Sequence, residues 1–239
     1  MSEPPAGRLE EMVTTEGGLP TVKAVMATEI QWVVKGALVR SAATVMERFQ
    51  IGSVLVSGDE GVPIGILTET DLVRRVIAAD LHPWATRVEA VMTPSVVTVD
   101  EKRSVADAAG LMTGRAIRHL AVTRDGRVVG MLSARDLLGI ETPSPALVEG
   151  AMMRLLATIH LHATVRDAAA RMGEASVGAL LVTGRRAKHR PGQLSAARQG
   201  DIAGVLTETD LVRKLVATDH YPYVTTVAQV METPLRTLG

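Results

Sequence analysis

Apolar positions along this chain change their period in a fixed order. In SVADAAGLMTGRAI (104–117), Val105, Ala108, Leu111 and Met112 recur at the spacing of one helix face. The preceding VMTPSVVTV (91–99) is apolar and β-branched, which predicts a strand. HLAVTRDGRVVGML (119–132) holds two short apolar runs around Arg124-Asp125-Gly126, a hairpin pattern with an Asp-Gly turn. SARDLLG (133–139) opens on a good N-cap residue and closes on glycine, predicting a short helix. The order strand, helix, strand, strand, helix predicts an α+β fold whose units each expose an apolar sheet face and must pair to bury it.

This order recurs along the chain. PIGILTETDLVRRV (63–76), VVGMLSARDLLG (128–139) and IAGVLTETDLVRKL (202–215) share a form: glycine, an apolar pair, Thr or Ser, two residues, Asp, Leu. Thr68 to Arg74 and Thr207 to Arg213 are identical. A second landmark precedes each closing segment: Val25-Met26, Val91-Met92 and Ala151-Met152, with a fourth, Val230-Met231, near the end. The span from Met152 to Asp210 exceeds those from Met26 to Asp71 and Met92 to Asp136 by about 14 residues, so the third unit carries an insertion. RRAKHRPGQLSAARQG (185–200) is the candidate, a basic loop that could close over a polyphosphate or meet an acidic partner.

These repeats predict an organisation: a polar, flexible leader over 1–21, a first pair over 22–145 with units at about 22–80 and 86–142, and a second, incomplete pair over 146–239. The second pair holds a unit at about 148–220 and a truncated opening at 225–239, expected to be ordered and to cover the third unit. Pro83-Trp84 and Pro222-Tyr223 occupy equivalent linkers, where aromatics pin a connection to the core.

Composition narrows the function. Of 239 residues 46% are hydrophobic, enough for a substantial core, while Phe, Trp and Tyr together make up 2%. Lys plus Arg and Asp plus Glu are 26 each, so no global field attracts nucleic acid or an anionic membrane, and aromatic stacking platforms are scarce. Cys is absent, which removes thiolate nucleophiles and Cys-ligated metal sites and fits a cytoplasmic location. No apolar run is long enough to cross a bilayer. His160 and His162 alternate on a predicted strand without a third ligand, so no metal site is expected. No Gly-rich phosphate loop or nucleophile elbow is present, so no catalytic residue is expected.

The V-M openings, the apolar strands IGSVLV (51–56) and RHLAV (118–122), the Gly-hydrophobic strands and the S/T-x-x-D closings together resemble the CBS (cystathionine-β-synthase-type) family from about Val22 to Met231. The resemblance implies tandem Bateman modules: CBS units packed as pseudo-symmetric pairs that bind AMP, ADP or ATP as regulatory ligands in clefts between paired units. It further implies a non-catalytic module, a homodimer, and an unidentified protein partner that reads occupancy, such as an enzyme or transporter. S-adenosylmethionine, NADH and cyclic dinucleotides are the alternative ligands. An enzyme carrying inserted CBS units, such as IMP dehydrogenase, would need a barrel and a catalytic Cys.

The same resemblance assigns roles. Asp71, Asp136 and Asp210 would hold ribose hydroxyls, as a carboxylate at a helix mouth can. Thr68, Ser133 and Thr207 would meet phosphate beside the free N–H groups of the helix, with Arg118 and His119 near it. Val54, Ile66, Leu120, Met131, Leu180 and Val205 would wall an adenine slot, which Trp32 could flank. S/T-x-x-D is also nearly a capping box, which needs no ligand. Unit three opens on AMMRLLATI without the family's Thr-Pro, and Ala121 stands where Pro is common.

Overall fold

The computed structural model describes residues 20–58, 62–138, 140, 156–184, 202–218, 221 and 224–233. In chain order these form α1 (Val22–Val25), β1 (Trp32–Val34), α2 (Val39–Phe49), β2 (Ser53–Ser57), β3 (Pro63–Thr68), α3 (Glu69–Leu72), β4 (Thr93–Pro94), β5 (Thr98–Asp100), α4 (Val105–Gly114), β6 (His119–Arg124), β7 (Arg127–Ser133), β8 (Thr158–His160), α5 (Val165–Ala175), β9 (Ala179–Thr183), β10 (Ile202–Thr207), α6 (Glu208–Leu211) and α7 (Val227–Val230). Wider helical turns, Val73–Ile77 and Val212–Val216, prolong α3 and α6. The leader, the 185–200 insertion, Ala151-Met152 and Pro222-Tyr223 lie outside the described residues.

Three sheets repeat one topology. A short strand runs parallel to the next and is joined to it by a helix, and a third strand returns antiparallel: β1-β2-β3, β5-β6-β7 and β8-β9-β10. The connecting helices share V-x-x-A-A-x-x-M, which places Val39, Ala42, Ala43 and Met46 on one side of α2 and Val165, Ala168, Ala169 and Met172 on one side of α5, all buried. Alanines at this seam keep the helix close to its packing partners. Ser104 and Thr164 cap α4 and α5 by accepting from the N–H of Asp107 and Asp167 at 3.0 and 3.1 Å.

The strand expected over 91–99 is two strands, β4 and β5, on different sheets. Pro94 cannot donate to a ladder, and Ser95 turns the chain with φ 65°. Through that break each V-M opening leaves the unit it begins and covers a Gly-hydrophobic strand elsewhere. Thr93 pairs with Ile66, Ala27 with Met131 and Glu232 with Val205, all antiparallel. The described part of the tail, residues 224–233, follows this covering path with Val227 and Val230 buried, and residues 234–239 lie outside the described residues.

Glycine is required under each opening. A Cβ built on Gly65 would lie 2.8 Å from both Met92 Sδ and the Thr93 carbonyl, and one on Gly130 2.6 Å from Met26 Sδ and 2.9 Å from the Ala27 carbonyl. Gly204 meets the Glu232 carbonyl and Met231 in the same way.

Two compact units result. One holds residues 20–31 with 95–140, around Val22, Val99, Ala108, Met112, Leu120 and Leu132. Glu101 is nearly buried there and takes both arms of the Arg124 guanidinium at 2.6 and 2.7 Å, which holds its carboxyl below the usual range. The other unit holds 32–94 with 156–233, so repeats 1 and 3 share one core. The division at 145/146 is a boundary between these units, but repeat 1 groups with repeat 3, where pairing with repeat 2 was expected. The physical basis of this grouping is the apolar run after each TETD: Val73, Val76 and Ile77 in repeat 1, and Val212, Leu215 and Val216 in repeat 3, are buried. Thr70 Oγ1 donates to Glu208 at 2.9 Å and Thr209 Oγ1 to Glu69 at 2.8 Å along this seam.

Gly65→Ala should therefore destabilise the fold by about 1–3 kcal/mol, as overpacking against backbone does. Adding Met92→Ala should restore only part of the loss, because the Thr93 carbonyl still opposes the new methyl. Urea denaturation of the single and double variants checks both statements.

Candidate functional site

Each S/T-x-x-D segment sits where a Gly-hydrophobic strand runs into a turn. At the end of β3, Thr68 N–H and Oγ1 donate to Asp71 Oδ2 at 2.9 and 2.7 Å, and Asp71 N–H donates to Thr68 Oγ1 at 3.2 Å. Thr207 and Asp210 repeat this box at 2.9, 2.6 and 3.2 Å. Both carboxylates are 7% exposed, and in both the second oxygen is also engaged. Asp71 Oδ1 accepts from Thr93 Oγ1 at 3.1 Å and lies 3.5 Å from Arg75, which also donates to the carbonyls of Val91 and Met92 at 3.0 and 2.9 Å. Asp210 Oδ1 lies 3.1 Å from Lys214 Nζ, which donates to the Val230 carbonyl at 2.9 Å and to Glu232. A cation four residues after each Asp thus latches the covering segment onto the cap.

Repeat 2 keeps two bonds of this box and loses the rest. Ser133 N–H and Oγ donate to Asp136 Oδ2 at 2.7 and 2.8 Å, but Asp136 N–H donates to the Ser133 carbonyl at 3.1 Å. Residues 134–138 form a turn, where a short helix was expected. Gly139 stands where the other repeats have Arg74 and Arg213, and glycine is a poor helix former. Asp136 is exposed, both of its hydrogen bonds reach the same oxygen, and the residue four beyond it is Ile140, so the latch is missing.

The strand register adds the Arg118 charge and an imidazole here alone. His119 pairs with Ser133 across β6 and β7, which brings Arg118 and His119 to the edge that carries Asp136. The equivalent dipeptides are Gly52-Ser53 and Gly178-Ala179. Burial, followed by the charges of Arg118 and Arg135, lowers the His119 pKa to about 4, while Asp136 opposes the shift.

The six residues expected to wall an adenine slot fall on two faces. Val54 pairs with Leu67, Leu120 with Leu132 and Leu180 with Leu206, and all six lie in the two cores. Ile66, Met131 and Val205 pair instead with Leu55, Ala121 and Leu181, on the opposite face and under the covering segments. Strand side chains alternate, so neighbours on a strand cannot line one slot. Trp32 is partly exposed at the start of β1. His160 and His162 stack at 5.3 Å, and among the described residues no group of three metal-ligating side chains forms. Sequence reasoning missed Arg75, Lys214 and Arg135. The signal for the first two was a basic residue four after the Asp, replaced by Ile140 in repeat 2, and for Arg135 it was a basic residue where the other repeats have Thr70 and Thr209.

The CBS domain family matches residues 22–78 and 88–141. A proposed signal-transduction protein with CBS domains from Burkholderia ambifaria is 31% identical, over 50% of this chain and 90% of that one, with a TM-score of 0.46. The chain belongs to the CBS-domain family. An uncharacterised protein of Methanopyrus kandleri is 34% identical over 46% of this chain, a match spanning 56% of its own length. A crystal structure of a Methanocaldococcus jannaschii protein, proposed as an archaeal homologue of γ-AMPK, covers 91% of this chain and 84% of its own, with 16% identity and a TM-score of 0.71. It thus shares the fold across all three CBS repeats. No helix among the described residues is long and apolar enough to cross a membrane.

The partly buried, neutral His119 gives the fold a defined pH dependence. Its pKa is lower in the folded chain than the ordinary 6.5, so the unfolded chain takes up the proton first. Stability should fall as pH drops from about 6.5 to about 4 and change little from this residue below that. His119→Gln should flatten this part of a stability profile measured by urea denaturation between pH 7.5 and pH 4.

Proposed function

We propose that this chain is a regulatory CBS module whose second repeat binds an adenine nucleotide, AMP, ADP or ATP, and whose occupancy is read by a protein partner. The observation that carries the reading is Asp136. It is the exposed member of the three S/T-x-x-D carboxylates, it has an oxygen to offer, and Arg118 and Arg135 bring positive charge to its corner beside the neutral His119.

The chemistry follows from that arrangement. A ribose diol donates to Asp136 in charge-assisted hydrogen bonds worth about 1.5–3 kcal/mol each. Arg118 and Arg135 favour phosphate, and Ser133 can turn its hydroxyl from Asp136 to the ligand. Ala121 and Met131, on the face away from the core, provide apolar surface beside the Ala27 segment. The same positive charge disfavours the sulfonium of S-adenosylmethionine and leaves NADH and cyclic dinucleotides, which carry phosphate, as the second reading. In repeats 1 and 3 a nucleotide would first have to displace Arg75 or Lys214 from the Asp carboxylate, so those sites are self-capped.

Calorimetric titration with AMP, ADP and ATP tests this. Asp136→Ala should weaken binding by roughly ten- to a hundredfold, the equivalent of one such hydrogen bond. Asp71→Ala and Asp210→Ala should lower the melting temperature with affinity kept, since they remove caps. Unchanged binding in Asp136→Ala, or binding lost in either of the other two, overturns the assignment.

A further inference from the structure

We propose that Met26, Met92 and Met231 are sites of reversible oxidation by peroxide, and that their sulfoxides unseat the covering segments from the Gly-hydrophobic strands. Placement and solvent access single these sulfurs out. Over Gly65, Met92 Sδ and the Thr93 carbonyl oxygen both lie 2.8 Å from the point a Cβ would take. Over Gly130, Met26 Sδ and the Ala27 carbonyl oxygen lie 2.6 and 2.9 Å from the equivalent point, and over Gly204 Met231 Sδ lies at 3.4 Å. All three methionines are nevertheless partly exposed. Met46 and Met172, on α2 and α5, are 0% exposed, and Met112 on α4 is 4% exposed. Among the described residues only Met131, beneath the Ala27 segment, shares their partial exposure. Thioether oxidation follows access, so the seats react before the cores.

The step is a two-electron oxidation of sulfur. The peroxide O–O bond breaks, one oxygen bonds to sulfur, and the other leaves as water with both peroxide protons. The product is polar and accepts hydrogen bonds. In the seats over Gly65 and Gly130 the three atoms nearest the built Cβ are the sulfur, its Cγ and a carbonyl oxygen, none of which can donate. A sulfoxide oxygen in that slot meets another acceptor, and a buried polar group without a partner is costly. Turning the oxygen to water draws the sulfur off its glycine.

More than the seat is then lost. The covering segments carry the paired hydrogen bonds between Ala27 and Met131, both 2.8 Å, and between Glu232 and Val205, at 2.8 and 3.2 Å. They also carry the Val91, Met92 and Val230 carbonyls that hold Arg75 beside Asp71 and Lys214 beside Asp210. Oxidation therefore frees a strand edge in each repeat and loosens the latches of repeats 1 and 3. Thiol-dependent reduction restores the thioether and the seat.

The 239-residue chain treated with hydrogen peroxide at neutral pH tests this by peptide mass spectrometry and hydrogen exchange. Sulfoxide should form at Met26, Met92 and Met231 ahead of Met46, Met112 and Met172. Exchange of the Met131 and Val205 amides should quicken by roughly tenfold or more and the melting temperature should fall. Methionine sulfoxide reductase with a thiol should reverse both changes. The triple variant Met26→Leu, Met92→Leu, Met231→Leu replaces each seat with a side chain of similar volume and leaves Met131 and the core methionines oxidisable. Peroxide should leave its exchange and melting unchanged. Should that variant fold poorly, reversal by the reductase decides the question in the unaltered chain. Core methionines oxidised as fast as the seats, sulfoxide at the seats with exchange unchanged, an equal peroxide response in the triple variant, or changes that reduction does not reverse overturn the proposal.

Discussion

The antiparallel seating of a V-M segment on a Gly-hydrophobic strand is the contact on which the rest of this structure depends. It occurs three times with one geometry: Met92 over Gly65, Met26 over Gly130 and Met231 over Gly204. The methionine fills the space a side chain on the glycine would take, and the residue after it joins the strand edge. A flexible thioether suits a slot of this shape. Sheet edges that would otherwise expose unpaired backbone groups are thereby closed.

That seating determines what each S/T-x-x-D segment can do. In repeats 1 and 3 the covering segment brings its carbonyls within reach of Arg75 and Lys214, whose other contact is the Asp of the cap. Cap, cation and cover form one satisfied network, and a satisfied network of this kind is stiff. Repeat 2 has the same cover and no cation, so its carboxylate stays open while its strand edge gains two basic residues. One scaffold thus yields two closed corners and one open one through changes at positions 118, 119 and 140.

Much of this was legible in the sequence. The repeat itself stood out because TETDLVR occurs twice, and the order of elements followed from the change of hydrophobic period and the Asp-Gly turn. The destination of the openings was less so: a strand pattern says that 91–99 is extended, not which sheet edge accepts it, and the break at Pro94-Ser95 looks like any Pro-Ser pair. The adenine-slot residues follow from the resemblance, and equivalent positions in an apolar strand do not report which face of the sheet each one takes. Counting by twos from Gly65, Gly130 and Gly204 would have separated Leu67 and Leu132 from Ile66 and Met131. The short helix expected at SARDLLG lacked the residues that prolong α3 and α6, and Gly139 was the visible sign.

The identity of the two TETDLVR segments has a physical explanation that differs from a shared ligand. They pack against each other, Thr70 donating to Glu208 and Thr209 to Glu69, while Arg213 approaches Glu69 at 4.0 Å. A segment that meets its own equivalent across a two-fold must supply both the donor and the acceptor of each contact, so one sequence satisfies both sides. Buried carboxylates in such a seam are costly unless each finds a donor, and the neighbouring threonine provides it. Repeat 2 stands outside that seam and is released from the requirement: Ala134 and Arg135 replace the Glu-Thr pair, and Arg135 adds its charge to the corner that Arg118 already makes electropositive. The strongest sequence repeat therefore marks where the chain packs on itself, and the departure from it marks where a closing carboxylate is left exposed.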